Sequence, residues 1–168
     1  ARALDKTRSY LMTWPGKVPS KAEASEFQRW LLRRAASEPV AYILGDQEFY
    51  GHLFQVSPAV LIPRPETEHL VEKALGWCRE RGTDSPKILD LCTGSGCVGL
   101  TLALELPRAS VTMSDLSLEA LAVAKHNAES HDLDERVRVF EGNLFEPLPD
   151  GERFDLILAN PPYVEESF

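Results

Sequence analysis

The segment Ile88-Leu89-Asp90-Leu91-Cys92-Thr93-Gly94-Ser95-Gly96-Cys97-Val98-Gly99 runs from a strand-like apolar stretch, through a glycine-rich turn, into a helical pattern. Gly94 and Gly96 permit a tight bend and a close approach of ligand to backbone, and a helix start supplies free N–H groups. Gly94-x-Gly96-x-x-Gly99 also satisfies the dinucleotide fingerprint, so the turn alone leaves NAD and S-adenosylmethionine both open. Asp115 ends the next strand about 20 residues on, where a carboxylate accepts hydrogen bonds from ribose hydroxyls, which both cofactors carry. Asp90 separates them. A carboxylate just before the turn opposes a pyrophosphate but suits a cofactor bearing ammonium and sulfonium charges. The unit points to S-adenosylmethionine.

Asn160-Pro161-Pro162-Tyr163 follows the apolar run Phe154–Ala159. Two prolines stiffen the backbone, each removes an N–H donor, and the first holds Asn160 extended. The loop is left with acceptors, the Asn160 side-chain oxygen and the Pro161 carbonyl, and the flat face of Tyr163 lies beside them. Such a set suits a planar NH2 group, whose delocalised lone pair is a poor nucleophile. Two acceptors on its hydrogens polarise the nitrogen and aim it at a methyl carbon, so catalysis rests on positioning and electrostatics. Asn-Pro-Pro alone is also an ordinary turn. Placed at the carboxyl edge of a sheet that opens on a glycine turn, it marks a site.

These groups need a frame. From Lys87 the pattern alternates: strand Lys87–Leu91, a helix from about Gly96 to Leu106, strand Ser110–Ser114, a helix over Leu118–His131 capped by Ser117, strand Val137–Glu141 and strand Phe154–Ala159. Strands alternating with helices predict an α/β fold with a parallel, doubly wound sheet. Ahead of it, Glu66 or Thr67 opens a helix with inner face Leu70, Val71, Ala74, Leu75 and Cys78, stopped by Gly82. Residues 46–65 read as a β-hairpin connector, with two short strands on either side of Ser57-Pro58, and Pro63-Arg64-Pro65 stops it. Residues 1–45 read as a small helical domain. Leu4, Arg8 and Leu11 line one short helix, closed by Trp14-Pro15-Gly16. Ser20 and Glu23 form a capping box for a second helix, reaching about Ala36 with the stripe Phe27, Trp30, Leu31 and Ala35. Two helices are too few to close a core on that stripe, so it packs on the following domain or on helices ahead of Ala1.

The 168 residues carry a net charge of −8, unevenly spread. Residues 1–45 hold eight Lys/Arg against four Asp/Glu; the rest hold ten against twenty-two. The acidic majority disfavours a nucleic-acid backbone as a direct partner. No apolar run is long enough for a membrane span, and residues 1–10 do not resemble a signal peptide. Cys78, Cys92 and Cys97 lack metal-like spacing and fit reduced thiols. His52, His69, His126 and His131 show no ligand grouping, so no metal is expected. Ser95 misses the hydrolase elbow by one position. Glu66 and Glu68 border the site or simply start a helix.

With these residues in view, the chain resembles the HemK/PrmC family, which methylates the glutamine of the Gly-Gly-Gln motif in class I peptide chain release factors. Asn160-Pro161-Pro162-Tyr163 is shared with nucleic-acid amino methyltransferases. The more specific match is Glu48-Phe49-Tyr50-Gly51 and Phe54-Gln55-Val56, followed by Leu61-Ile62-Pro63-Arg64-Pro65-Glu66-Thr67-Glu68. Glu38-Pro39-Val40-Ala41-Tyr42-Ile43-Leu44-Gly45 fits the end of the family's helical domain. The resemblance implies a Rossmann-like class I methyltransferase sheet, here truncated after the fourth strand, in residues 66–168, with a partial substrate-recognising helical domain in residues 1–45. It implies that Cys92, Thr93, Gly94, Ser95 and Gly96, with Asp90, meet the methionine part of S-adenosylmethionine, that Asp115 meets its ribose and that Asn143-Leu144 lie near its adenine. Asn160, Pro161, Pro162 and Tyr163 would hold the glutamine amide, with Asn160, Pro161 and Tyr163 catalytic and Asn160 also bordering the cofactor. Cys92 departs from the glycine usual there. The implied partner is a release factor, and a cytoplasmic monomer is expected. The rivals are N-methylation of an adenine or guanine amino group, and a nucleotide-binding module without turnover.

Overall fold

The computed structural model describes residues 1–162, which fall into two compact units divided between Leu44 and Gly45. In the first unit, a 3-10 turn Arg2–Leu4 precedes α1 (Arg8–Thr13), α2 (Lys21–Ala35) and α3 (Val40–Leu44). The single first helix expected around Leu4, Arg8 and Leu11 is in fact broken. Asp5 turns left-handed at φ 47° and Thr7 takes the N-cap, its side chain accepting from Tyr10 N at 3.1 Å. The Ser20/Glu23 capping box on α2 is present in full. Arg33 ties α2 to α3, donating to Glu38 ahead of that helix and to the carbonyls of Tyr42 and Ile43 near its end. Phe27 and Leu31 of the α2 stripe remain half exposed, at 53% and 45%.

The second unit begins with an antiparallel hairpin, β1 (Asp46–Phe49) and β2 (His52–Gln55). Its turn is Tyr50-Gly51, and not the Ser57-Pro58 that the pattern suggests, so both strands lie ahead of Ser57 and the second strand expected at Val60 and Ile62 does not form. Both turn residues have positive φ, 52° and 78°, the geometry of a two-residue turn whose twist matches its strands. Tyrosine is an unusual occupant of that position, so the sequence signal is weak. Phe49 and Phe54 stack edge-on at 6.3 Å and are fully buried in the main core.

After a 3-10 turn at Pro65–Thr67 comes α4 (Glu68–Arg81), whose buried face is Val71, Ala74 and Cys78 and which Gly82 ends at φ 64°. Then follow β3 (Lys87–Leu91), α5 (Cys97–Glu105), β4 (Ser110–Asp115), α6 (Leu118–Ser130), β5 (Val137–Glu141) and β6 (Leu156–Ala159). All three strand pairings are parallel, in the order β5-β4-β3-β6. The chain steps outward from β3 to β5 and returns to the other side of β3, so the order reverses between β3 and β6. Doubly wound sheets bind ligands at such a reversal. The last strand starts at Leu156 instead of Phe154, because Asp155 first closes onto Lys87 through its own N–H and its carboxylate, both at 2.8 Å. Helix α5 is buried on nearly every side, from Cys97 to Ala103, as suits a helix flanked by α4, α6 and two strands. Among the described residues, no helix is long and apolar enough to cross a membrane.

Candidate active site

The carboxyl ends of β3, β4 and β6 converge on one region. From β3, the chain passes Cys92 at φ 54°, Gly94 at φ 56° and Gly96 at φ 79° before α5 begins. A run of left-handed positions folds the turn back on itself, and hydrogen bonds lock it. Thr93 N donates to Ser114 O at 3.1 Å and Gly96 N to Thr93 O at 2.9 Å. A Cβ on Gly94 would meet nothing within 4 Å, so this residue faces open space. A Cβ on Gly96 would press on Leu100 at 3.0 Å, and one on Gly99 would press on Asp90 and Met113. The three glycines thus do different work: Gly94 leaves room for a ligand, while Gly96 and Gly99 let the helix sit close to its neighbours.

Asp90 lies beneath the turn, 2% exposed. Its Oδ2 accepts from the Thr93 hydroxyl at 2.6 Å and from Gly99 N at 3.0 Å. Burial pushes its carboxyl up to about 6; those two hydrogen bonds pull it down, and the negative charge of Asp115 adds to the rise. Ser95 is also buried, and its carbonyl accepts from Asn127 Nδ2 at 2.8 Å. Cys92 is half-buried, and partial burial beside Asp115 and Asp90 raises its thiol, keeping it protonated.

Asp115, at the end of β4, already spends both oxygens on backbone: Oδ2 on Gly94 N at 2.9 Å and Oδ1 on Ser117 N at 3.0 Å. It therefore anchors the glycine turn and opens α6, in addition to any role toward a sugar. After β5, Asn143 reaches Glu146, and Leu144 turns left-handed at φ 49° with its carbonyl accepting from the Ser114 hydroxyl at 3.3 Å.

The structure brings these residues together around a cleft of about 540 Å³ whose lining includes Cys92, Gly94, Asp115, Asn143, Leu144, Asn160 and Pro162. A second hollow of about 560 Å³, lined by Arg64, Glu66, Thr67 and Leu70, also reaches Asn160. A narrow space bounded by Asp90, Thr93 and Ser95 has Asn160 on its wall as well. Asn160 stands where all three adjoin, exposed, with Nδ2 donating to Thr67 Oγ1 at 3.4 Å. Pro161 is exposed beside it. Tyr163 lies outside the described residues.

Sequence reasoning misses Asn127. It is 1% exposed in the middle of α6. Its Oδ1 accepts from Gln55 N at 2.7 Å, while Nδ2 donates to Gln55 O at 3.0 Å and to Ser95 O. One amide thus clamps the hairpin to the glycine turn. The available signal is a polar, helix-averse residue next to Ala128 and three after Ala124, on the face that should be apolar. Thr67 reads in the sequence as a possible helix start and as part of the connector match, with no role at the site.

The methyltransferase small domain family matches residues 75–167, and the PrmC N-terminal domain family matches residues 1–45. Relatives named release factor glutamine methyltransferase are 45% identical over 161 residues in Bordetella pertussis, 46% over 164 in Vibrio cholerae and 47% over 160 in Neisseria gonorrhoeae. The alignments cover 96%, 98% and 95% of this chain, and 58%, 56% and 56% of those proteins. The chain spans about half the length of the curated relatives it matches. The parallel sheet, its glycine turn, the likeness of residues 48–68 to the HemK/PrmC connector and that of residues 38–45 to the end of the family's helical domain all agree with these matches. The chain belongs to the methyltransferase small domain family, and its residues 1–45 match the PrmC N-terminal domain family.

Proposed function

We propose that the protein methylates the N5 side-chain nitrogen of the glutamine in the Gly-Gly-Gln motif of class I peptide chain release factors. The observation that carries this reading is the position of Asn160, which borders both the cleft under the glycine turn and the hollow toward Thr67. One amide group thereby touches a donor space and an acceptor space. The names of the relatives support a release factor as the acceptor.

The cleft fits S-adenosylmethionine on its own geometry. Gly94 presents bare backbone to open space. Asp90 takes both its hydrogen bonds on Oδ2, which leaves Oδ1 for the cofactor's ammonium. Asp115 has lone pairs beyond its two backbone bonds for ribose hydroxyls. Leu144, 45% exposed, and Asn143 form a half-apolar shelf for adenine. Bound there, S-adenosylmethionine supplies a methyl carbon made electrophilic by its sulfonium.

The chain's own part is to hold the glutamine NH2. Asn160 Oδ1 and the Pro161 carbonyl accept its two hydrogens. On methyl transfer the C–S electron pair would stay on sulfur and one N–H proton would leave to solvent water; as the N–H groups become more acidic on the way, their bonds to Asn160 and Pro161 strengthen, which lowers the barrier. No side chain acts as a nucleophile. Basic residues 1–45 and the hairpin connector are assigned to recognising the release factor.

The test is incubation with methyl-labelled S-adenosylmethionine and either a release factor or DNA. Label is expected on the release factor glutamine. Asn160→Ala should lower turnover about 10²–10³-fold while changing cofactor affinity far less. Label on DNA alone, or full turnover by Asn160→Ala, refutes the reading.

A further inference from the structure

We propose that Thr67 is a positioning residue that holds the Asn160 amide with its oxygen toward the acceptor, an inference that rests on the Asn160 role above. Asparagine χ2 is broad and nearly two-fold, so an exposed amide presents oxygen or nitrogen with little preference. Only the oxygen can receive a substrate NH2; the nitrogen would set donor against donor. Something must hold the other end.

Thr67 stands at the N-cap of α4, where a threonine oxygen commonly accepts a helix N–H, yet its side chain makes no capping bond. Its φ of −69° and ψ of −20° are already helical, unlike the extended Ser20, Thr7 and Ser117, which do cap. The hydroxyl is used elsewhere: it accepts from Asn160 Nδ2 at 3.4 Å, between residues 93 apart in sequence. With Nδ2 occupied, Oδ1 is the end left for the acceptor; the flipped amide, with Thr67 donating to Oδ1, would turn Nδ2 against the substrate NH2, so the acceptor and Thr67 together select this orientation. The bond is long, as hydrogen bonds of catalytic groups often are before substrate binds and tightens them. Thr67 itself is firmly placed. Pro65 fixes φ two residues earlier, and Thr67 N donates to Arg64 O at 3.0 Å. Both Thr67 and Asn160 line the 560 Å³ hollow, so the contact sits on the wall an acceptor would meet.

The test uses Thr67→Val, which keeps the shape and removes the hydroxyl, and Thr67→Ser, which keeps the hydroxyl. With release factor as acceptor, Thr67→Val should lower kcat about 5- to 10-fold, the effect of losing one neutral hydrogen bond. Its KM for the acceptor and its affinity for S-adenosylhomocysteine should stay within about twofold of wild type. Thr67→Ser should recover most of the rate, and adding Thr67→Val to Asn160→Ala should cost nothing more. The side-chain amide resonances of Asn160 give a reading that needs no turnover: they should shift in Thr67→Val and return in Thr67→Ser. Wild-type kcat in Thr67→Val, an undiminished loss in the Asn160→Ala background, or unmoved Asn160 resonances would overturn the proposal. A wild-type protein that labels no release factor would instead sink the proposed function, and the resonances would still decide the part played by Thr67.

Discussion

Replacing Asp90 by asparagine removes the one buried carboxylate under the glycine turn and keeps its size. In the folded protein, burial raises this carboxyl from the ordinary 3.8 to about 6, against the pull of Thr93 and Gly99. The native state therefore holds the Asp90 proton more tightly than the unfolded chain does. Its stabilising contribution is complete below about pH 4 and is lost as pH climbs through about 6. The size follows from the shift, about 3 kcal/mol in all. The substituted amide does not titrate, and every other acid is common to both proteins, so the difference between them isolates this group. Urea unfolding, followed by tryptophan fluorescence and far-ultraviolet circular dichroism, should show wild type losing about 3 kcal/mol relative to Asp90→Asn between about pH 4 and pH 8. The change in hydrogen bonding adds only a constant offset. A ligand ammonium beside Asp90 reverses the shift, so S-adenosylhomocysteine should bind more tightly as pH rises from about 5 to 7, and Asp90→Asn should flatten that rise. Parallel stability curves for the two proteins would refute the burial argument.

Asp115→Ala strips acceptors from Gly94 N and Ser117 N, and from the ribose that the proposed function places there. It should weaken cofactor binding by about 1–3 kcal/mol in calorimetry and lower the urea midpoint too. Unchanged affinity would move the ribose elsewhere. Cys92→Gly relieves a left-handed residue at φ 54° and should raise stability by about 0.5–1 kcal/mol at unchanged m-value; a lower midpoint would show that the thiol's packing outweighs the strain. Asn127→Ala leaves Gln55 and the buried Ser95 carbonyl without partners and should cost about 2–4 kcal/mol, with faster hydrogen exchange at the Gln55 amide. Exchange at the wild-type rate would mean that the hairpin is held without this amide, by Phe49 and Phe54 in the core and by Tyr50 N on Glu68.

The sheet is legible in the sequence because its signals are local and redundant. Ile88, Leu89 and Leu91 make an apolar run, Gly96 starts a helix and Ser117 caps another, and the strand boundaries fall within two residues of the pattern. That a hairpin precedes the helix is legible, but its strands and turn are not: both strands lie ahead of Ser57, because Tyr50 adopts a positive φ that its residue type disfavours. The broken first helix is hidden for a similar reason, with Asp5 in the left-handed region. At the site, residue identity singles out positions that the fold brings to one cleft, while pairing stays invisible. Asp115 is expected to serve a ribose, but nothing in the sequence reveals that Gly94 N and Ser117 N already use both its oxygens. Asn127 reaches Gln55 across 72 residues and Asn160 reaches Thr67 across 93. Such contacts depend on tertiary placement, which periodicity does not encode.

The reversal of strand order has a consequence for how the chain is made. β3 emerges first from the ribosome, and β4 and β5 can add to one side of it in turn. Its other edge stays open until β6 has been synthesised, several seconds later at about 5–20 residues per second. During that interval the β3 edge, with Ile88 and Leu89 beside it, is a template for any passing strand. The same late strand carries Asn160 at its end. A nascent chain that has not yet closed this edge lacks the hollow beside Asn160, so protection from misassembly and the gain of the candidate catalytic residue arrive in one step.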